Sequence, residues 1–407
     1  MLTALALLLG GCRGERSGYA ILEGPARGGP AGDVSLATDP VTGDLLATWV
    51  MAADGGWRIE FARSADAGDT WTSPVAVTPG SGETGPPHGE ASPRLVAGRD
   101  GRLAVFWSRP VPVAGRQWPA SDMRMAHSLD GGKTWSAPRT LNSDSASTPG
   151  THTFFGAAAF GDSGLIAAWL DERDPHSLAG HRERLPDTSH EPTSEADARI
   201  FAVVSHDFGG HWNADEGLWG AVCPCCRVSL AAAPDGQVMA AWRQHFPGNV
   251  RDIVTAGIVP VSAPSRVAAD DWVYPGCPHT GPAIAVDAEG ATHVAWFTGK
   301  EGKAGIFYSR SGGPPVALVS APTLPPSHVA LVGLADGEAF AALDVSAAGE
   351  RRIEAIILGP DGKIHQRMAV GDSDDGRYPQ LTLLGDSAAA LAWTQRDSVR
   401  LARIRLP

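Results

Sequence analysis

The chain is short of several things that particular functions require. Lys and Arg number 33 against 45 Asp and Glu, for a net charge of −12. A phosphate-binding surface needs clustered Lys and Arg in excess, so nucleic acid is excluded as a partner. The acidity is spread along the chain and reads as solubility. Only four Tyr occur, Tyr19, Tyr274, Tyr308 and Tyr378, so few phenols are open to a catalytic role. The apolar run Leu2–Leu9 is far too short to span a bilayer. Beyond it there is no long apolar stripe of helical period, and nothing resembles a linker between two domains. What is abundant is Gly (49) and Pro (32). That composition fits many short strands separated by turns. All-β units of this length occur as one domain.

Residues 1–12 read MLTALALLLGGC. The apolar stretch has the length of the core of a signal peptide. Its end, Leu9-Gly10-Gly11-Cys12, resembles a bacterial lipobox. The resemblance implies removal of residues 1–11, lipidation of Cys12, and a mature domain over 12–407. Such a protein sits in the bacterial cell envelope, held to a membrane surface by its N-terminal lipid without spanning it.

Seven segments share one pattern: a short apolar strand, a turn with Gly or Asp, and a second apolar strand ending in Trp. They occupy 33–50, 92–107, 153–169, 227–242, 281–296, 328–343 and 378–393, and the sixth has Leu343 in place of Trp. The ends recur every 47 to 73 residues. A small all-β unit repeated at this period predicts a β-propeller of four-stranded blades. Each unit continues with a third and an outer strand, as in 58–64 and 70–77. The last unit stops after its third strand, 399–406. The stretch 19–24 precedes the first inner strand and is free to fill the vacant outer slot, which would hide the sheet edges. Seven blades are expected, or six if the weak sixth unit is absorbed elsewhere.

Between third and outer strands, three octapeptides follow Ser-x-Asp-x-Gly-x-(Thr)-Trp. They are Ser64, Asp66, Gly68 and Trp71; Ser128, Asp130, Gly132 and Trp135; and Ser205, Asp207, Gly209 and Trp212. Ser and Asp side chains bond turn backbone, and Gly takes positive φ. These octapeptides resemble the Asp-box (BNR) repeat of the sialidase superfamily, and with the blade pattern the resemblance covers nearly the whole mature chain. It implies that the boxes are structural and lie on the face opposite the loops that enter the inner strands. It also implies glycoside hydrolysis by a Tyr nucleophile paired with a Glu, with three Arg gripping a carboxylate. Tyr378 and Glu90 fit the first pair, and Arg94, Arg243, Arg251 and Arg377 supply candidates for the trio. The family's Arg-Ile-Pro motif is missing; the nearest string, Arg58-Ile59-Glu60, lies inside a third strand.

Four Cys remain, in Cys223-Pro224-Cys225-Cys226 and Cys277-Pro278-His279. Each cluster immediately precedes an inner strand, of the fourth and fifth units, so propeller topology brings them together near the axis. In an oxidising compartment four Cys make two disulfides. Three thiols crowded into four residues also place soft ligands around one metal ion, and with His279 they suit Cu(I) or Zn. Thiol redox chemistry is a third reading. Loops on the same face carry His88, His152, His328, Asp171, Glu172, Arg173, His245 and Asp252, with His176, His181 and His190 in a polar insertion. Three functions compete on these residues: a glycan-binding or glycan-hydrolysing protein, a copper or zinc protein of the envelope, and a scaffold for another envelope protein. Hydrolysis needs paired carboxylates near the axis, metal binding needs reduced thiols around one ion, and a scaffold needs an exposed apolar patch.

Overall fold

A computed structural model describes residues 18–407 apart from 79, 81, 116–118, 145–149, 174–197 and 348–349. Cys12, the apolar run before it, and His176, His181 and His190 lie outside the described residues. Within them there is no α-helix, only a short 3-10 turn at Ala335–Gly337 among 28 strands. Among the described residues no helix is long and apolar enough to cross a membrane.

The strands form five antiparallel sheets of four and one of eight. The eight-stranded sheet is two four-stranded runs that meet at one pair, Val222 with Gln244. Each run of four starts with one of seven inner strands: Ala31–Thr38, Arg94–Ala97, His152–Phe160, Ser229–Ala232, Ala283–Val286, Val329–Gly333 and Gly376–Leu383. These inner strands neighbour one another in chain order, and Gly376–Leu383 lies beside both Val329–Gly333 and Ala31–Thr38. The last sheet takes its outer strand from the other end of the chain: Tyr19–Leu22 pairs with Ser398–Arg405, Tyr19 opposite Ile404 and Leu22 opposite Leu401.

Second strands carry near-continuous apolar sequence because both their faces are packed. Their Trp residues, Trp49, Trp107, Trp169, Trp242, Trp296 and Trp393, are all buried, as is Leu343 in the sixth unit. Three of the indoles donate to a side chain two residues on, at Asp171, Gln244 and Gln395. Six of the cores join neighbouring sheets, and another joins the two runs of the eight-stranded sheet. Ala390, Ala392 and Leu401 of the last sheet share one with Val34 and Trp49 of the first, and Trp393 shares another with Ile353 and Ile357. Three of the outer strands are shorter than the sequence suggests. Of residues 70–77 only Val75–Ala76 form a strand, with Thr72 and Val77 adding single backbone bonds to Arg63 and Ile59, and Arg139–Thr140 and Ser265–Arg266 are equally short. Stubby, polar edges of this kind resist edge-to-edge association.

The three Asp boxes are built alike. Ser64 Oγ donates to Asp66 and accepts from the Gly68 amide at 2.8 Å, while Thr70 donates to Asp66 through both its amide and its hydroxyl. Ser128–Thr134 and Ser205–His211 repeat the arrangement. The hydroxyl bond of Thr70 comes first among the causes that hold Asp66 down at about 2, and Thr134 does the same for Asp130. The box glycine meets the preceding sheet: at Gly132 (φ +90) an added Cβ would stand 2.0 Å from the Phe61 ring. Trp135 meets the same ring edge-on at 5.4 Å. The boxes therefore dock one sheet on the next.

Candidate functional site

Where the chain enters its inner strands, the backbone does something unusual. Asp33, Phe154, His279 and Tyr378 all adopt left-handed conformations, with φ of 54°, 53°, 48° and 55°. Three sit at register breaks, between Gly32 and Ser35, Thr153 and Gly156, and Arg377 and Gln380. Left-handed backbone at bulky residues is strained and persists only where the surroundings over-determine it, commonly at functional sites. The four residues come from the first, third, fifth and last units. Their neighbours tie them into one mouth.

On one side of it, Tyr378 packs its ring 4.1 Å from His328. The His328 ring bonds Asp344 Oδ2 at 2.7 Å and the His279 carbonyl at 3.1 Å, and the Tyr378 amide donates to the same Asp344 oxygen. Burial disfavours the His328 cation, but Asp344 outweighs it and its pKa is raised. On the other side His88 stands edge-on to Phe154 (5.6 Å) and His279 (6.1 Å). Burial, then the nearby His279, lowers the His88 pKa. Gly89 (φ +71) lets the Tyr378 ring lie across the backbone, since a Cβ there would stand 2.2 Å from it.

Beneath the rings lie two buried carboxylates. Glu90 accepts from Arg227 through its guanidinium (2.7 Å) and amide (3.2 Å), and from the Gly281 amide (2.8 Å). Burial pushes its pKa up, but Arg227 and His328 prevail and it is lowered. Asp33 accepts the amides of His88 and Gly89 at 2.6 and 2.7 Å, yet burial dominates and raises it to about 6. Arg94 reaches Gln380 at 3.0 Å, and burial with the Arg227 charge lowers it to about 9. Both arginines line a cavity of about 200 Å³ that continues between the inner strands past Ser35, Ser229 and Leu331. Burial, then the Glu90 charge, pushes the Tyr378 phenol up to about 12.

The cysteine loops form the rim beside Phe154. Cys223, Cys225 and Cys226 are buried, with sulfurs 3.8, 3.7 and 4.0 Å apart. Exposed Cys277 and His279 place their ligand atoms within 4.8 Å of each other and of Cys225 Sγ. No disulfide links the described cysteines. Sulfur hydrogen bonding with Cys225 and Cys226, then the Arg251 guanidinium 3.0 Å away, hold the Cys223 thiol well below its usual range.

The structure gathers Tyr378, Glu90 and Arg94 around the mouth but sends the other candidate arginines elsewhere. Arg243 is buried under the cysteine loops, donating to the carbonyls of Arg251, Thr280 and Phe297. Arg251 spans Cys223 and the Tyr274 carbonyl. Arg377 is exposed and pairs with Asp375. His152 is sequestered between Asp144 and Asp171, and His245 bonds Asn249. Asp252 caps the amides of Asp271 and Trp272. Arg227, Asp33, Phe154 and Asp344 escaped sequence reasoning. The one available signal was position: Arg227 directly follows the cysteine cluster, and Asp33 and Phe154 open inner strands.

Several solved structures share this architecture. A Hadza microbial sialidase matches with a TM-score of 0.51 at 14% identity, over 93% of this chain and 66% of its own. The chain thus spans just under two thirds of that enzyme's length. A Penicillium chrysogenum alpha-L-arabinanase complexed with arabinobiose matches at 0.51 and 14%, over 95% and 97% of the two chains. An ulvan lyase of the polysaccharide lyases matches at 0.55 and 10%, over 94% and 95%. At these identities the likeness is one of fold alone, that of a sialidase-like β-propeller. Among curated proteins none matches this chain. The sequence profile of the BNR repeat-like domain matches residues 43–389, almost the full run of repeats, and the chain belongs to that family.

Proposed function

We propose that the chain is an exported, lipid-anchored propeller of seven blades, closed by its N-terminal strand, that binds a saccharide at the axial mouth. One observation carries this reading: the rings of Phe154, His88, His279, His328 and Tyr378 surround the buried Glu90–Arg227 pair, on backbone strained at four inner strands. Rings with a few fixed polar groups at their base are what an oligosaccharide pocket requires. Enzymes on saccharides recur among proteins of this fold, the sialidase and the arabinanase among them. Anchoring rests on the run ending at Cys12, and closure on the pairing of Tyr19–Leu22 with the last sheet.

Binding, and not sialidase-type hydrolysis, is the activity that fits. A Tyr nucleophile needs phenolate character, and the Tyr378 phenol is pushed the other way, to about 12. Both Glu90 oxygens are already engaged by Arg227 and Gly281. A protein scaffold is less well supported. Among the described residues, the exposed large apolar ones, Ile21, Val41, Leu129, Val261 and Val273, are single and belong to four different blades.

A saccharide panel of arabino-oligosaccharides, sialyllactose and uronate-containing oligosaccharides, titrated calorimetrically, tests the reading. At least one class should bind, and Tyr378→Ala should abolish that binding. A fluorogenic sialoside should remain uncleaved. No binding across the panel would overturn the proposal, and Tyr378-dependent cleavage of the sialoside would replace binding by hydrolysis.

A further inference from the structure

The rim holds chemistry that saccharide binding does not use. We propose that Cys223, Cys225 and Cys226 form a three-thiolate site for Cu(I), and that Cys277 and His279 form the exposed port through which the ion reaches it, with Cys225 common to both. The inference stands on the chain's own donors; His279 is the one residue it shares with the saccharide mouth, and the three buried thiols are no part of that mouth.

The spacing of the sulfurs is already that of ligands around one ion. With metal–sulfur bonds of about 2.3 Å, two ligand sulfurs stand about 3.8 Å apart in a tetrahedron and about 4.0 Å apart in a trigonal plane. The three observed separations are 3.8, 3.7 and 4.0 Å. Neither donor group contains a carboxylate, so hard ions such as Ca²⁺ and Mg²⁺ find nothing here. Soft thiolates select Cu(I) and Zn. Structural zinc takes four ligands. Within the buried group only three donors converge, which favours the cuprous ion.

Charge supports the same choice. Three thiolates and one cuprous ion leave a double negative charge in a buried place. Arg251 lies 3.0 Å from Cys223 Sγ, and Arg243, whose carbonyl accepts the Cys223 amide, is the next cation. Two guanidiniums offset that charge. Any thiol still protonated gives its proton to water as the ion binds, so uptake weakens in acid. No electron moves, because the ion arrives and stays as Cu(I).

Exposure runs in one direction. Cys277 and His279 face solvent, Cys225 is 4% exposed, and Cys223 and Cys226 are fully covered. An ion captured by Cys277 and His279 finds Cys225 in the same ligand group, and Cys225 then belongs to the inner group as well. Stepwise exchange of ligands moves it inward. The port also adjoins the mouth, because His279 touches both His88 and Phe154.

The experiment uses the full chain, purified anaerobically and reduced, with Cu(I) delivered from a bicinchoninate complex. One equivalent should be withdrawn, with sulfur-dominated X-ray absorption around copper. Cys226→Ser should weaken binding by more than the ~10–100-fold lost when a supporting partner of a metal ligand is removed. Cys277→Ser and His279→Ala, both at exposed positions, should leave affinity unchanged and slow uptake. Circular dichroism and thermal melting check each variant; should Cys226→Ser fail to fold, Cys223→Ser and Cys225→Ser replace it. Three results overturn the site: wild-type affinity no greater than that of a variant with all four Cys changed to Ser, zinc held in preference to Cu(I), or four sulfurs that stay locked in disulfides. Equal loss of affinity at Cys277 and Cys226 overturns the port and makes one larger site.

Discussion

The Asp boxes and the mouth carry acidic residues of opposite character. On the Asp-box face, Asp66, Asp130 and Asp207 are exposed, their carboxylates are bonded only to residues within four positions, and their pKa values are lowered. At the mouth, Asp33 and Glu90 are buried and held by distant parts of the chain, Glu90 by Arg227 at 137 positions' remove. A motif satisfied within itself shapes a turn. A carboxylate that needs several blades to satisfy it marks where the blades converge. The more recognisable of the two acidic sets is thus structural, and the less recognisable one surrounds the site.

Breaking the long-range set should cost most. Arg227→Met leaves Glu90 buried without its cation and should destabilise the fold by about 3–5 kcal/mol, read from urea unfolding. The double variant with Glu90→Gln should recover part of that loss; no recovery would mean that Arg227 acts through packing alone.

Titration separates the two sets by sign. The Asp33 pKa is raised in the folded state to about 6, so its contribution to stability is complete below the unfolded value near 3.8 and is lost as pH rises through about 6. The whole change is at most about 3 kcal/mol. Asp130, lowered to about 2, contributes above the unfolded value and loses its effect as pH falls towards 2. Unfolding midpoints between pH 4 and 6 should therefore fall more with pH in the wild type than in Asp33→Asn, while Asp130→Ala should keep the wild-type slope. Equal slopes in wild type and Asp33→Asn would remove Asp33 from the account.

Gly89→Ala drives a methyl into the Tyr378 ring on backbone of positive φ, and overpacking of this kind costs about 1–3 kcal/mol. Its sharper readout is ligand affinity, which should fall further than stability. The smallest effect is expected for Asp130→Ala, a modest drop in melting temperature with affinity intact.

The same contrast governs what could be read from the sequence. Repeats and Asp boxes were legible because their determinants are local: an apolar strand, a turn residue, a Trp, a Ser and Asp two apart. The docking of Tyr19–Leu22 on the last sheet followed from counting strands. Outer strands were read too long, since residues such as Trp71 look strand-like but lie outside the two-residue pairing at Val75–Ala76. Juxtaposition of the two cysteine loops followed from blade order. The Glu90–Arg227 pair did not, because its two members lie 137 positions apart and nothing in either stretch points to the other. Nor did the left-handed backbone at Phe154 and Tyr378, which arises from packing across the mouth. The candidate arginines are dispersed for a related reason: Arg243 and Arg251 sit in the expected loops, but backbone carbonyls and Cys223 claim them.

The central claim is that the mouth, and not the Asp-box face, is where this protein meets its ligand. Calorimetric titration of the best-binding saccharide into Phe154→Ala and Asp130→Ala, at a temperature where both are folded, tests it most directly. The account predicts that Phe154→Ala loses binding while Asp130→Ala matches the wild type. Loss in Asp130→Ala with retention in Phe154→Ala would place the site on the opposite face and contradict it.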